Sequence, residues 1–553
     1  MRKLKLLIFI LLIVSVFSCS ERTENSGSHT SQKSLNSAEA CDFKVNSTKD
    51  TVDANPGDGV CADIKGRCTL RAAIMEANEQ ENKKVICLES GKTYILSLDL
   101  KSGDDNNATE DDLDIAADIT IEGNKSTILR DPNLICDLNS VQNIGCFRIF
   151  HVLNSNAKLT LKNVVIENGD VGDRYNYNAS GGGILNNGTL IIQNTTILKN
   201  HAGDGGGISN SGILTVDNSV ISKNNADLGG GIYNQGNMTI RNSTISNNVS
   251  KSYGGGIYDF NTNENESVKI INSTIANNYS IGYGGGIFND GSKMSIQNCT
   301  ISNNSVIGDG GGIYNQGDMI ITNSNILKNS ATKSSDIDES DNSFAGNGGG
   351  ICNYNILTIM NSTISENNSQ FGGGIHNVRD LTIINSTISN NNAYYGGGIS
   401  NTHTRYTVAT VNAAFISVVN NSAVYEGSGI SNVGEFNIKN SIIARNTMTL
   451  EKRSENCNKE ANLTLFGINF TDDATCTGFN RVNFEQLKLQ PLGNYGGMTP
   501  IHALSANSVA IDAVSDCTDL NNRQVTTDQR GVKRPQGVKC DAGAYEYDGV
   551  TRR

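Results

Sequence analysis

The sequence is poor in proline and has no tryptophan, although it is 553 residues long. It contains 5 prolines against 58 glycines. Because each proline removes a ladder hydrogen bond from a sheet, this scarcity is typical of a chain built from uninterrupted strands. The apolar fraction of 37%, taken together with the glycines, is normal for globular proteins and excludes disorder of the whole chain.

Clusters of basic residues are also missing beyond the first five positions. Lys and Arg number 44 against 56 Asp and Glu, which gives a formal charge of −12. Nucleic-acid binding needs grouped cations that neutralise phosphates, so we expect no nucleic-acid partner. No Cys or His residues have the spacing of a zinc site, and the sequence therefore predicts none.

Long apolar runs are absent except at the N-terminus. Basic residues precede an apolar run over residues 6–18, which is too short to span a bilayer and is typical of a signal peptide. Residues 16–19, Val-Phe-Ser-Cys, resemble the lipobox of bacterial lipoproteins, which implies lipidation of Cys19. We expect a signal peptide at 1–18, a disordered tether at 19–40, and an exported bacterial lipoprotein of the outer membrane or cell surface.

A glycine-rich repeat dominates the middle of the chain. The string Gly-Gly-Gly-Ile recurs many times, and asparagines follow most of these isoleucines at offsets of two and ten residues, with Asp259 as an exception at the first offset. In the first three units the repeated residues are Ile184, Ile208 and Ile232; Asn186, Asn210 and Asn234; and Asn194, Asn218 and Asn242. Internal repeats of this length are typical of a solenoid.

Apolar residues within each unit alternate with period two, which is the pattern of strands and not of helices. Three short strands with tight corners make one turn of a parallel β-helix, in which equivalent residues lie about 4.8 Å above one another. Isoleucine columns then fill the core, asparagine columns bond their copies in the next turn, and the glycines form a corner with positive φ.

The predicted fold is therefore all-β: a right-handed, single-stranded, pectate-lyase-like parallel β-helix over residues 99–450, with about 12–14 turns. Its handedness is taken by analogy with known β-helices. A leucine-rich horseshoe would need leucine-rich spacing and a helical segment, and a calcium-binding roll would need Gly-Gly-x-Gly-x-Asp copies. Neither pattern is present.

The two ends carry motifs of known domains. Residues 50–61 and 68–74 resemble the CSLREA domain of bacterial surface β-helix proteins, with Thr69 and Ala72 in place of the name-giving Ser and Glu. Residues 492–500, 510–512, 528–535 and 540–546 are similar to the choice-of-anchor Q domain. Leu70, Ile74 and Ala77 fall on one face of a helix, so we expect a short helical N-terminal cap at 41–98, and the second resemblance implies an irregular C-terminal cap at 451–553. The repeats themselves resemble those of chlamydial polymorphic outer membrane proteins.

Thirteen cysteines are present, and most lie close to another cysteine in a cap or an insertion. In an oxidising compartment such neighbours form local disulfides. The expected pairs are Cys61/Cys68, Cys136/Cys146, Cys457/Cys476 and Cys517/Cys540, with Cys41/Cys87 as a candidate fifth. Cys299 and Cys352 occupy different columns of the repeat, so we expect them to stay unpaired.

Candidate chemical sites are few. Asp336, Asp338 and Asp341 have the alternate spacing of calcium ligands, so Ca²⁺ is the one cofactor candidate, although none is required. The acidic stretch over 104–114 has a similar pattern. For all of these acidic stretches we favour solvated loops. We interpret His376 and His403, about one turn apart, as exposed strand residues.

No catalytic residues are predicted, because the turns present Asn, Ser, Thr and Gly where β-helix enzymes cluster Asp, Lys or Arg. We therefore expect an adhesin-like or structural surface protein, monomeric and lipid-anchored, that binds glycan or another surface. The alternative is a polysaccharide lyase or glycoside hydrolase that uses the groove of the β-helix.

Overall fold

The computed structural model describes residues 40–98, 107–136, 145–173, 179–261, 267–332, 346–403 and 407–550. The chain divides into two units, Met1–Ala40 and Cys41–Arg553, and everything below concerns the second. Cys19, Asp336, Asp338 and Asp341 lie outside the described residues. Among the described helices, none is both long and apolar enough to cross a membrane.

The second unit is a right-handed parallel β-helix, as the sequence predicts. Successive turns pair strand to strand in parallel, and most turns contribute strands to the same set of sheets. We name these sheets A, B and C. Sheet A covers two adjacent sides of the solenoid, sheet B carries one short strand per turn, and sheet C consists of two pieces.

The strands of sheet A are Phe43–Lys44, Lys84–Cys87, Thr93–Leu96, Asp118–Arg130, Lys158–Glu167, Thr189–Gln193, Thr196–Leu198, Ile213–Asp217, Val220–Ser222, Asn237–Arg241, Thr244–Ser246, Ser267–Ile271, Thr274–Ala276, Lys293–Gln297, Thr300–Ser302, Asp318–Thr322, Asn325–Leu327, Ile356–Met360, Thr363–Ser365, Asp380–Ile384, Thr387–Ser389, Thr410–Ala414, Ser417–Val419, Glu435–Lys439, Ile442–Ala444, Leu463–Phe466, Phe470–Thr471 and Asn480–Arg481.

Sheet B contains Leu113–Ile115, Phe150–Val152, Ile184–Asn186, Ile208–Asn210, Ile232–Asn234, Ile257–Asp259, Ile287–Asn289, Ile313–Asn315, Ile351–Asn353, Ile375–Asn377, Ile399–Asn401 and Ile430–Asn432. The first piece of sheet C contains His201–Asp204, Asn225–Leu228, Val249–Tyr253, Tyr279–Ser280, Ser305–Ile307 and Ser330–Thr332. The second piece contains Asn392–Tyr395, Ser422–Glu426, Thr447–Met448 and Arg453–Ser454.

The register between turns places equivalent residues of the repeat directly above one another. Ile184 pairs with Ile208, and Ile208 with Ile232. All three isoleucines are fully buried. Insertions between repeats leave this register intact, since Ile313 pairs with Ile351 across the longest one. The apolar columns therefore form one continuous core along the axis.

Three asparagine ladders follow the same register, and they differ in burial. The amide of Asn186 donates to Asn210 at 2.6 Å, and that of Asn210 to Asn234 at 2.7 Å, inside the core at the ends of sheet B strands. Asn194, Asn218 and Asn242 instead lie at corners with φ between 48° and 51°. The third ladder is buried and runs through Asn200, Asn224, Asn248, Asn278, Asn304, Asn329, Asn367, Asn391, Asn421, Asn446 and Asn456.

An N-terminal helix, Leu70–Asn78, covers the first turn, where the sequence predicts one. Thr69 caps it by accepting from the N–H of Ala72 at 3.1 Å. The side chain of Glu76 accepts from the N–H groups of Gly57 and Gly59, both at 2.6 Å, and so ties the preceding loop to the helix. An open strand edge invites association, and this helix covers one.

At the other end, residues 453–481 continue the solenoid, and residues 482–550 are largely irregular, with one short helix at Phe484–Leu487. This last segment does more than close the end, because it lies along the outer side of sheet A over several turns. Gln529 accepts from Thr387 at 2.7 Å, and His502 contacts Ser389 at 2.9 Å. Its own apolar cluster packs against Phe415 and Ile442 of the solenoid.

Five disulfide bonds are present among the described residues: Cys41–Cys87, Cys61–Cys68, Cys136–Cys146, Cys457–Cys476 and Cys517–Cys540. Cys299 and Cys352 are free and buried. Cys299 takes the place of a serine in a hydroxyl ladder, since its Sγ accepts from the N–H of Ser273 at 3.5 Å. The disulfides secure the two caps and one insertion, where the regular ladder is interrupted.

Candidate functional site

A groove runs along the solenoid between sheets C and B, and two columns of outward residues line it. Column 1 is the middle residue of each sheet B strand: Asp114, His151, Leu185, Ser209, Tyr233, Tyr258, Phe288, Tyr314, Cys352, His376, Ser400 and Ser431. Column 2 is the residue before each glycine corner: Ser180, Asp204, Leu228, Tyr253, Tyr283, Asp309, Asn347, Phe371, Tyr395 and Glu426.

The glycine corner makes the groove concave. Gly229 has φ of +62°, and a Cβ there would lie 2.4 Å from the carbonyl oxygen of Ile232. A Cβ on Gly230 would lie 2.4 Å from the oxygen of Val249 in the next turn. Only glycine therefore allows the chain to turn this sharply between sheets C and B. The sharp turn brings columns 1 and 2 together.

Aromatic side chains fill the middle of the groove. Tyr258 stacks on Phe288 with ring centroids 5.0 Å apart, and Tyr283 stacks on Tyr314 at 4.8 Å. The column 1 rings are only 4–7% exposed, so they pack against one another and leave little open surface. Burial raises the pKa of Tyr258 well above its usual range, and its hydroxyl donates to Asp290 at 3.2 Å. Such contacts stabilise the stack by about 1 kcal/mol per pair.

The groove opens at its N-terminal end, where Leu185 and Ser209 replace the rings of column 1. A cavity of about 330 Å³ lies there. Its lining is mainly polar and comes from both columns and from the adjacent corner: Arg148, His151, Ser180, Leu185, Asn187, Asp204, Ser209, Ser211, Tyr233 and Gln235. Tyr233 is the last ring of the aromatic stack and forms one wall, with its hydroxyl accepting from Gln235 at 2.9 Å.

Buried charged residues gather beside this cavity. Asp112, Asp114, Arg148 and His151 are 3%, 0%, 4% and 8% exposed. Arg148 donates to Oδ2 of Asp112 at 2.8 Å, and Nδ1 of His151 lies 3.4 Å from Oδ1 of Asp114. Nε2 of His151 contacts the amide of Asn187 at 3.1 Å. Four ionisable side chains with little solvent exposure therefore lie at one end of the groove.

The N-terminal helix positions this cluster. Arg71, fully enclosed, forms an ion pair with Asp50 at 2.6 Å and donates to the carbonyl groups of Ala108, Glu110 and Asp112 at 3.1–3.2 Å. The side chain of Asn78 donates to the carbonyl of Asp114 at 2.8 Å. Helix side chains thus hold the backbone of the first sheet B strand and, with it, the two carboxylates.

Further along the groove, Cys352 and His376 are neighbours in column 1. Burial raises the pKa of Cys352 well above its usual value and lowers that of His376 to about 4. Both groups are therefore uncharged at neutral pH, which does not suit a thiolate–imidazolium pair. Burial also corrects the expectation that His376 is an exposed strand residue. His403 is exposed, as expected, but it lies after the end of the strand Ile399–Asn401, and the register partner of His376 is Ser400.

The sequence-predicted site residues are structural where the structure describes them. Ile184, Ile208 and Ile232 lie in the core, and the asparagines form ladders. The acidic stretch over 104–114 was expected to be a solvated loop, and this is wrong for Asp112 and Asp114, which are buried. Sequence reasoning missed their association with Arg148 and His151, because the first turns lack the Gly-Gly-Gly-Ile string.

A signal for this cluster does exist in the sequence. Leu113–Ile115 and Phe150–Val152 begin with a large apolar residue, as the later Ile-x-Asn strands do, and each carries a polar residue at the middle position. Aligning these irregular turns with the repeat would have placed Asp114 and His151 in one outward column. The same alignment would have revealed the run of rings at the position after the isoleucine in four consecutive turns.

Comparison with known proteins relates the repeats to one family. Residues 242–259 and 298–316 match the model of the Chlamydia polymorphic membrane protein repeat. Each matched segment includes one glycine corner with residues of both columns. The chain therefore carries polymorphic-membrane-protein-like repeats on a parallel β-helix.

Among solved structures, the crystal structure of pectate lyase Pel9A is similar at 15% identity and a TM-score of 0.31, over 92% of this chain and 97% of that one. A score this low carries no argument, and the fold rests on the strand pairing itself. No curated protein matches the chain.

Proposed function

We propose that this protein is an adhesin-like, lipid-anchored bacterial surface protein that binds a neutral glycan at the N-terminal end of its groove. The observation that carries the proposal is the polar cavity of about 330 Å³ walled by Tyr233 and by residues of both columns. A concave site with convergent polar groups and one aromatic wall suits a sugar, whose hydroxyls need hydrogen bonds and whose ring carbons need an apolar surface.

Charge favours a neutral glycan over a polyuronate. Arg148 already contacts Asp112, and Asp114 and Asp204 add negative charge near the cavity. The whole chain is acidic as well, with a formal charge of −12. An acidic polysaccharide would therefore be repelled both at long range and inside the cavity.

Surface location is supported by the repeats, which match those of a membrane protein family, and by the lipobox-like residues before Cys19. The resemblance of the two ends to the CSLREA and choice-of-anchor Q domains supports the same conclusion. The five disulfide bonds agree with an exported protein.

A glycan array probed with the purified protein tests the proposal. We expect binding to neutral oligosaccharides, lost in the variants Tyr233→Ala and Ser211→Phe; the second fills the cavity without disturbing the ring stack. Tyr394→Ala, which removes an exposed ring outside the cavity, is the matched control and should bind normally. Binding that persists in both cavity variants, or no binding to any glycan, would contradict the proposal.

The second candidate function is cleavage of a polysaccharide, and the buried Asp112, Asp114, Arg148 and His151 are the observation in its favour. Paired carboxylates at one site are the usual machinery of glycoside hydrolysis. An assay for new reducing ends or unsaturated products on neutral and acidic polysaccharides separates the two candidates. We expect no turnover, and turnover abolished by Asp114→Asn would reverse the ranking.

A further inference from the structure

We propose that Asp112, Asp114 and His151 form a site for one divalent transition-metal ion, with Zn²⁺ or Mn²⁺ as the occupant. One potential ligand atom of each residue lies within 4.8 Å of the others. Two carboxylate oxygens and one imidazole nitrogen form a ligand set that Zn²⁺ and Mn²⁺ accept. Ca²⁺ takes oxygen ligands instead and fits this set less well.

The orientation of His151 is the second observation that points to an ion. This side chain is only 8% exposed, and its Nδ1 makes no hydrogen bond although it faces the carboxylate of Asp114 at 3.4 Å. A buried ring nitrogen that makes no hydrogen bond and is directed at a carboxylate has the geometry of a metal ligand.

Asn187 supplies the outer support that such a ligand needs. Its amide nitrogen lies 3.1 Å from Nε2 of His151. In a metal-bound state the amide would rotate by 180° so that its oxygen accepts from Nε2–H, which fixes the tautomer in which Nδ1 carries the lone pair. Metal-binding histidines almost always have a partner of this kind on the other nitrogen.

The charges around the site also agree with a cation. Arg148 contacts Oδ2 of Asp112, and the N–H of Ala108 donates to Oδ2 of Asp114 at 3.0 Å. Asp114 is completely buried. A divalent ion held by the two carboxylates and His151 would add positive charge where two acidic side chains are enclosed.

The chain provides three ligands, which leaves one or more coordination positions open toward the cavity beside His151. Sugar hydroxyls bound in the cavity would reach the ion through these positions. That consequence rests on the proposed function, whereas metal binding itself does not.

Calorimetric titration of the untagged, chelator-treated full chain with Zn²⁺, Mn²⁺ and Ca²⁺ tests the site without any glycan. We expect one equivalent of Zn²⁺ or Mn²⁺ per chain, weakened at least about 10-fold in both Asp114→Asn and His151→Gln. The matched control is His201→Gln. His201 also lies between two carboxylates, Asp170 at 2.9 Å and Asp173 at 3.2 Å, but it is partly exposed at the surface. Its replacement should leave the metal affinity unchanged.

The inference would be overturned by no bound equivalent in the wild type, by equal binding in all variants, or by a loss of binding caused by His201→Gln. One equivalent of Ca²⁺ that survives Asp114→Asn would also contradict it, by placing the ion elsewhere. Thermal melting of each metal-free variant checks the fold. The rise in Tm that metal gives the wild type should disappear in the two site variants. If one variant fails to fold, the metal affinity of the other variant and the stoichiometry of the wild type show whether the ion binds at this site.

Discussion

At the scale of single residues, the buried asparagines do more for the fold than the exposed ones. The side-chain oxygen of Asn224 accepts from both the backbone and the side-chain N–H of Asn200 at 3.0 Å. Its amide donates to Asn248 at 3.0 Å and to the carbonyl of Ile197 at 3.2 Å. One side chain thus satisfies polar groups in both neighbouring turns, where no water is available.

Replacing Asn224 by Ala should therefore lower the free energy of unfolding by about 3 kcal/mol, because several buried groups lose their partners. Urea denaturation followed by circular dichroism measures this loss. Asn218→Gly is the control in the same turn, since Asn218 is at an exposed corner with φ of 48° that glycine tolerates. It should cost less than about 1 kcal/mol. Equal losses for the two variants would contradict the distinction between the ladders.

At the scale of elements, the glycine corner and the C-terminal segment determine how sheets meet. Sequence periodicity was sufficient to predict the strands, the core isoleucines and the helix near Leu70. It could not place residues 482–550 on the side of sheet A, because that contact depends on single hydrogen bonds to hydroxyl groups such as that of Ser389. Nor could it assemble the Asp114–His151 cluster, since the strands that hold these residues lack the glycine string of the repeat.

Substituting Gly230 by Ala should destabilise the protein by about 3 kcal/mol or more, because its Cβ would meet backbone oxygens of the next turn at 2.4–2.5 Å. Gly66→Ala is the control. That glycine has φ of +75°, but a Cβ there would have no atom within 4 Å, so the variant should lose only about 1 kcal/mol of stability. Thermal melting compares the two variants. A tolerated Gly230→Ala would argue against close approach at the corner.

The contact of the C-terminal segment with sheet A should weaken in acid. Burial lowers the pKa of His502 from 6.5 to about 4, and this ring accepts from Ser389 while its Nδ1–H donates to the carbonyl of Gln490 at 2.8 Å. The pKa of His502 is lower in the folded state than in the unfolded state. The ring therefore has no effect on stability above pH 7, and it lowers the free energy of unfolding as the pH falls from 6.5 to 4. The full cost is about 3 kcal/mol.

Stability of His502→Gln measured by urea denaturation at several pH values tests this. The variant should lose less stability than the wild type between pH 6.5 and 4, while the buried His376 keeps its own share of the pH dependence. The exposed His403→Gln should follow the wild-type curve. Parallel curves for His502→Gln and the wild type would show that His502 remains accessible to protons in the folded state.

At the scale of the whole molecule, one solenoid combines a stable core, an open groove and two covered ends. Its disulfides lie away from the regular turns of the repeat. Those turns are held together by the hydrogen-bond ladders between them. The N-terminal lipid proposed for Cys19 would attach the protein to a membrane.

We expect Cys19→Ser to abolish incorporation of labelled fatty acid and to move the protein from the membrane fraction to the soluble one. Western blotting of fractionated cells measures the second effect. The free thiol Cys299 provides the control, since Cys299→Ser should leave both readouts unchanged. Membrane retention of the Cys19→Ser variant without lipid label would show that something other than a lipid anchors the chain.

Cross-linking across the groove tests the central claim, that residues one repeat apart stack directly above one another and together line one continuous surface. Leu185 and Ser209 are register partners in column 1. The double variant Leu185→Cys, Ser209→Cys should therefore form a disulfide under mild oxidation, detected by peptide mass spectrometry. The pair Leu185→Cys, Tyr233→Cys, two turns apart, should not, because its Cα atoms are beyond the reach of about 7 Å. A link in the second pair but not in the first would contradict the stacking on which the groove, the cavity and the metal site depend.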